Sequence, residues 1–135
     1  MKADLDGQGR VKVKSDLSLK DHPEVFIAGD QACVIGKNGQ PLPAIAPVAM
    51  QQGKFIAKII LNELNSKPRK PFSYLDKGQM ATIGRKKAIV EVRGLRFGGF
   101  AAWVAWLFIH IFYLSGFKNR ILVLIQWGYS YFSWE

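Results

Sequence analysis

Cysteine and histidine are nearly absent: the 135 residues hold one Cys, Cys33, and two His, His22 and His110. One thiol closes no disulfide within the chain and two remote imidazoles build no metal cage, so a reducing compartment and no metal site are expected. Cys33 also lacks the second thiol that a redox pair needs. A phosphate-binding Gly-x-Gly-x-x-Gly is missing as well. Gly7 and Gly9 begin such a pattern, but Lys12 stands where the third glycine belongs, and the pair is expected to form only a turn. The first twenty residues mix Lys2, Arg10, Lys12, Lys14 and Lys20 with Asp4, Asp6 and Asp16 and have no apolar stretch, so no export signal is expected there. No internal repeat or low-complexity tract occurs. This length accommodates one domain-sized core and not two complete nucleotide-binding domains.

What is present is unevenly distributed. Hydrophobic residues make up 49% of the chain and charged residues 21%, which excludes a disordered polar chain. The formal charge of +9 invites a polyanion, either nucleic acid or the anionic face of a membrane. Residues 67–96 carry +7 of it, with Lys67, Arg69, Lys70, Lys77, Arg85, Lys86, Lys87, Arg93 and Arg96 against Asp76 and Glu91. Thirteen of the seventeen Phe, Trp and Tyr, including all four Trp, lie from residue 97 onward. A basic collar therefore abuts an aromatic tail. Nucleic acid is disfavoured, because the rings are not interleaved with the cations as a stacking groove requires.

Residues 10–13 alternate weakly, and residues 24–29 (Glu-Val-Phe-Ile-Ala-Gly) are a short apolar run that predicts a buried strand. Asp30 follows it directly. Gly36, Asn38, Gly39, Pro41, Pro43 and Pro47 punctuate a loop with a turn at Asn38 and Gly39. Pro47 suits the first helical position, and Phe55, Ile56, Ile59, Ile60 and Leu64 recur at helical spacing, so a helix is predicted from Pro47 to a stop over residues 65–68. Residues 79–83, 88–92 and 95–97 predict the strands of a small antiparallel unit, broken at 84–87 and 93–94.

Residues 97–114 are apolar on every face except at His110, and a helix of that length reaches about 27 Å, barely a bilayer span. Residues 116–120 predict a turn carrying Lys118 and Arg120. Residues 121–134 are a second apolar stretch, too short for about 30 Å of hydrocarbon. One marginal span, a buried helical hairpin, or two helices lying in the membrane interface remain open. Adjacency of the collar to Trp103, Trp106, Trp127 and Trp134 favours the interface, where each cation, Lys118 and Arg120 included, adds up to about 1 kcal/mol at an anionic leaflet.

The constellation best able to carry chemistry is a strand, Asp30 at its carboxyl end, a Gly/Pro loop and a helix opening over residues 47–51. Ligands of open α/β sheets sit outside the carboxyl ends of strands, and a helix N-terminus offers unpaired N–H groups and partial positive charge to an anion. An aspartate after a buried strand is otherwise a cap or turn residue. Gly9-Arg10-Val11, Asp16-Leu17 and His22-Pro23-Glu24-Val25-Phe26-Ile27-Ala28-Gly29-Asp30 resemble the closing strand and "GD" motif of flavoproteins with two dinucleotide-binding domains. Ala46-Pro47-Val48-Ala49-Met50-Gln51-Gln52-Gly53, then Ala81-Thr82-Ile83-Gly84-Arg85, then Trp103, Trp106, His110, Gly116-Phe117 and Asn119-Arg120 narrow the resemblance. Over roughly residues 5–134 the chain resembles the C-terminal third of the type II NADH:quinone oxidoreductases, or alternative NADH dehydrogenases.

That resemblance implies an α/β fragment: the C-terminal part of an FAD-binding domain (residues 1–66), a small antiparallel β unit (67–97), and a C-terminal membrane-associated helical hairpin (98–135). It implies non-covalent FAD, with Asp30 accepting hydrogen bonds from the ribityl and phosphate region. Ala49, Met50 and Gln51 would bring backbone N–H groups near the pyrimidine end of the ring, where negative charge gathers when a hydride is accepted. Gln51 and Gln52 would face the quinone, with His110 as a further contact; the plainer readings are solvent-facing helix residues and a satisfied core or interface histidine. Pro47 stands where many relatives carry Gln, so one side-chain contact to quinone is in doubt. The complete enzyme would pass a hydride from NADH to FAD and two electrons with protons to a membrane quinone, without pumping protons. It would sit peripherally, as a monotopic protein, on the cytoplasmic side of the cell inner membrane. Expected partners are the quinone, anionic lipid, an N-terminal nucleotide-binding half and, through the apolar hairpin, a second subunit. By itself this chain is expected to oxidise no NADH. The competing readings are a non-enzymatic, membrane-anchored basic adaptor and a small integral protein with a true span.

Overall fold

The structure is a computed structural model that describes residues 3–84, 87–92, 94–114 and 116–133. The chain divides into two units, Met1–Leu75 and Asp76–Glu135. In the first, the Asp6 carboxylate accepts the N–H groups of Gln8 and Arg10 at 2.9 Å each, and Gly9 closes the expected turn at φ 78°. β1 (Val11–Lys12) follows and pairs in parallel with β2 (Ala32–Cys33). Between them, residues 24–29 do not form the predicted strand. They make one antiparallel bridge, Ser18 with Phe26, flanked by bonds from Leu19 N–H to Val25 O (2.9 Å) and from Ile27 N–H to Leu17 O (3.0 Å). The chain then curls into a 3₁₀ turn, Gly29–Gln31. An apolar run becomes a regular strand only where neighbours satisfy its N–H and C=O groups along its length, and here the ladder is one bridge long.

The first core gathers Leu17, Ala32 and Val34, with Phe26, Leu42, Phe55 and Phe72 packed against them. Leu17 is fully buried at φ 70°. A left-handed leucine costs about 1–2 kcal/mol, and full burial of its side chain contributes about 1.5–3 kcal/mol, so burial decides its conformation. Residues 34–42 form a hairpin in which Gly39, at φ 75°, donates its N–H to Gly36 O (3.0 Å), confirming the turn at Asn38 and Gly39. α1 (Ala46–Leu64) buries Val48, Gln52 and Ile59 and packs Phe55 and Ile56 against the core, whereas Ile60 and Leu64 of the predicted stripe are exposed. Its end is a Schellman motif: Lys67 N–H reaches Asn62 O and Ser66 N–H reaches Glu63 O, both at 2.9 Å, with Ser66 left-handed at φ 54°.

Residues 67–75 then strap back across this unit. The Arg69 guanidinium donates to the Asp16 carboxylate (3.1 Å), Pro23 O (2.7 Å) and Glu63, and lies 4.8 Å over the Phe26 ring. Phe72 N–H donates to Ser15 O at 2.7 Å and its ring meets Phe55 edge-on at 5.3 Å. One collar cation is thus committed to an internal network of the first unit.

The second unit carries the expected antiparallel sheet, β3 (Gln79–Gly84), β4 (Lys87–Val92) and β5 (Leu95–Gly99), in that order. Period-two alternation turns Ala88 and Val90 of β4 inward against Ala102 of α2 (Phe100–Tyr113), with Met80, Val92, Trp103 and Trp106 around them. Gly78 enters the sheet at φ 95°, where a Cβ would stand 2.3 Å from Glu91 O, so no other residue fits. α2 is shorter than the predicted apolar helix because Phe97, Gly98 and Gly99 pair with Val90, Ile89 and Ala88 instead. Its 14 residues reach only about 21 Å. Among the described residues no helix is long and apolar enough to cross a membrane. α3 (Phe117–Ser133) begins inside the segment read as a turn, since Gly116 at φ 81° completes the reversal.

Candidate functional site

The candidate site of the first unit is built on the Gly29–Gln31 turn. Gly29 is left-handed at φ 76°, and a Cβ there would meet the Ala49 Cβ at 3.8 Å, so this turn rests against the opening of α1. Its N–H donates to Gln52 Oε1 at 2.7 Å, and Gln52 is only 1% exposed. A buried amide thus holds the turn in place.

Asp30 is exposed on that turn, and among the described residues no hydrogen bond or ion pair engages its carboxylate. The contrast with the chain's other turn residues is informative. Asp6, Asp16, Asn38 and Asp76 each accept the backbone N–H two residues on, at 2.9, 3.2, 3.1 and 2.8 Å. Asp30 closes no such turn. Beside it, α1 starts at Ile45 without a side-chain cap or an acidic residue in its first turn, and Pro47 has no N–H. The N–H groups of Val48 and Ala49 both donate to Ile45 O, at 3.0 and 3.2 Å, and those of Met50 and Gln51 fall within the helical ladder. Ala49, Met50 and Gln51 therefore offer the positive field of a helix start rather than open donors. An acceptor carboxylate next to such a field suits a ligand with hydroxyl groups and an edge that gathers negative charge.

Gln51 has a role that the sequence did not reveal. Its Nε2 donates to Leu75 O (2.9 Å) while its Oε1 accepts Leu75 N–H (3.0 Å), a two-point clamp on the end of the strap. Two adjacent glutamines look alike in sequence; which loop each one binds depends on pairings 23 and 24 residues away. Gly53 has open space beyond it. Cys33 is buried; burial and then the neighbouring Asp6 carboxylate push its thiol up, so it stays protonated. Asp6 itself is held far below the usual carboxylate range, chiefly by the Arg10 N–H. His22 pairs with Glu24 at 3.2 Å on the surface. Among the described residues no group of three or more His, Cys, Asp or Glu could hold a metal ion.

In the second unit Trp103 and Trp106 are half-buried against the sheet, and Trp106 stacks on Trp127 of α3 at 5.5 Å and 18°. Trp134 lies outside the described residues, as do Arg85, Lys86 and Arg93. Among the described residues the exposed rings are others, with Phe108, Phe112 (70% exposed), Phe117 (76%) and Tyr129 the most open. His110 is exposed, with its ring 4.0 Å from that of Trp106 and its Nδ1 2.8 Å from Trp106 O. Lys118 is exposed, whereas Arg120 donates to Leu114 O (3.0 Å) and Phe112 O (2.9 Å) and so caps the end of α2. Arg96 pairs with Glu91 at 3.0 Å on the sheet surface.

Comparison with known proteins gives one family, described as the NDH2 C-terminal domain, which matches residues 77–133. The type II NADH:quinone oxidoreductase Ndh of Mycobacterium tuberculosis is 42% identical over 135 residues, covering 98% of this chain and 28% of that protein. The type II NADH:quinone oxidoreductase of Staphylococcus haemolyticus is 36% identical over 88 residues, 64% of this chain and 22% of that protein. The mitochondrial internal alternative NAD(P)H-ubiquinone oxidoreductase A1 of Solanum tuberosum is 32% identical over 139 residues, 89% of this chain and 28% of that protein. The chain thus spans only between about a fifth and a little over a quarter of the length of these relatives.

Proposed function

The chain belongs with the C-terminal portion of the type II NADH:quinone oxidoreductases, and from that premise we propose that it supplies one edge of an FAD site, part of a quinone site and the lipid-facing surface of a peripheral membrane enzyme. The observation that carries this reading is the exposed carboxylate of Asp30, unpaired among the described residues, on a turn that Gln52 fastens beside the uncapped start of α1. Asp30 would accept hydrogen bonds from ribityl hydroxyls. The first turn of α1, with Ala49, Met50 and Gln51 just inside it, would direct its positive field at the ring edge. Bound FAD would supply the chemistry that links a hydride from NADH to a two-electron reduction of quinone, without proton pumping.

Gln52 holds the Gly29–Asp30 turn through Oε1 and is almost fully buried, so we assign it a positioning role. Gln51 keeps a second Nε2 proton, available to a quinone carbonyl while the first holds Leu75. His110, within the second unit, would offer a quinone contact of its own. Exposed Phe108, Phe112, Phe117 and Tyr129 would enter a lipid interface, with Lys77, Lys87 and Lys118 meeting anionic headgroups, and the same apolar surface could join two subunits. The chain alone, given FAD, should oxidise no NADH.

Co-expression with a separately encoded N-terminal nucleotide-binding half tests the reading. The expected product is a yellow complex that reduces a soluble quinone with NADH and floats with anionic vesicles, and Asp30→Ala should lower FAD retention at least tenfold. A stable but colourless complex would mean an adaptor instead.

A further inference from the structure

We propose that His110, seated on the Trp106–Trp127 stack, binds the reduced, hydroxyl-bearing ring of a hydroquinone through Nε2. This rests on the quinone role proposed above and assigns one redox form of the ligand to it. The warrant is the proton inventory of the imidazole. Nδ1 lies 2.8 Å from the Trp106 carbonyl oxygen, which can only accept, so Nδ1 carries the ring's hydrogen. A neutral imidazole has one N–H, and Nε2 is left as a bare acceptor. Among the described residues nothing hydrogen-bonds Nε2.

Acceptor and acceptor do not bond. A quinone presents only carbonyl oxygens, whereas its two-electron-reduced form presents hydroxyl groups that donate. His110 therefore discriminates by hydrogen-bond polarity in favour of the product, whereas Gln51 Nε2, a donor, can bond the oxygens of either form. The stack holds the discriminating atom still. Trp106 lies against the imidazole at 4.0 Å and 30°, Trp127 backs Trp106 at 5.5 Å and 18°, and His110 is exposed. The exposed residue is reachable by a ligand, and the bond to Trp106 O stops the imidazole from turning its N–H outward.

The test is an NMR titration of the full chain in a mild detergent at pH 8, following the His110 ring nitrogens and the Trp side-chain N–H signals. A water-soluble hydroquinone, kept reduced under argon, is compared with its oxidised form. The nitrogen shifts of the free protein should report the Nδ1–H tautomer, and saturable binding of the hydroquinone should be at least tenfold tighter than of the quinone. His110→Gln, whose amide oxygen can reach the place of Nε2, should retain most of that preference. His110→Asn, which fills only the place of Nδ1, should lose it, with unchanged far-UV circular dichroism in both variants. An Nε2–H tautomer, equal affinity for the two forms, or a His110→Asn protein that still prefers hydroquinone overturns the assignment and leaves the quinone role standing. No saturable binding of either form overturns the quinone contact at His110 as well.

Discussion

The first unit fastens a small core with polar clamps, and the second closes its core with stacked rings and leaves far more apolar surface uncovered. In the first, Arg69 joins four segments, Gln52 and Gln51 tie two loops to α1, and Ser66 ends the helix through backbone bonds. In the second, the only side-chain ion pair among the described residues is Arg96 with Glu91, on the surface. Among the described residues, fifteen of the 22 exposed large hydrophobics belong to the second unit. The difference shows where each unit's stability can be attacked. Directional bonds fail when one partner or its charge is removed, whereas a packed sheet and helix fail when something is forced between them.

The largest effect should come from Gly78→Ala, which puts a methyl group into Glu91 O at a left-handed backbone position and should cost on the order of 3 kcal/mol. Since all four Trp lie in the second unit, near-UV circular dichroism should collapse while amide protection in the first unit stays intact. Arg69→Met attacks the other side of the comparison. It leaves the Asp16 carboxylate mostly buried and without its cation, and should cost the first unit about 2 kcal/mol in urea denaturation, read from hydrogen exchange of Leu17 and Ile27.

Acid should separate the units in the same direction. Burial raises the Asp16 carboxyl, but the Ser18 hydroxyl and the Arg69 guanidinium outweigh it and hold it below its usual value. Asp6 is likewise lowered. A lowered folded-state value gives stability that is complete above the unfolded value of about 4 and is lost as pH falls through the folded value. Amide protection in the first unit should therefore hold from pH 7 to 5 and decline below about 4, and Asp16→Asn should flatten that decline. Ser66→Gly should strengthen the first unit by about 1 kcal/mol, because glycine removes the left-handed penalty at the helix end; a lower urea midpoint would contradict the Schellman assignment. The smallest effect on stability belongs to Phe112→Ser and Phe117→Ser. Both should leave the second unit's melting within about 0.5 kcal/mol while weakening flotation with anionic vesicles, since exposed rings support no core.

What the sequence disclosed was local. The short strands of the antiparallel unit, the helix α1 and the Asn38–Gly39 turn depend on neighbours a few residues apart and are present as predicted, although Ile60 and Leu64 of the helix are exposed. The predicted strand over residues 24–29 failed because strand regularity needs a partner ladder, which no property of the run itself supplies. The long apolar helix is shorter than predicted for a related reason: Phe97, Gly98 and Gly99 lie in the apolar run, but β4 pairs with them as a strand. Asp30 was legible as a candidate from its motif, but that it closes no turn emerged only against Asp6, Asp16, Asn38 and Asp76. The clamps of Gln51 and Gln52 and the capping by Arg120 join residues through side chains whose targets no periodicity encodes.

The hold of Gln51 on Leu75 has a mechanical side. Leu75 is the final residue of its unit, so the second turn of α1 grips the backbone at the point where it departs toward the sheet. Any pull arriving along the polypeptide from Asp76 onward is delivered first to a glutamine beside the one that steadies Gly29, which makes this pair of amides the place where a tug on the tether would register.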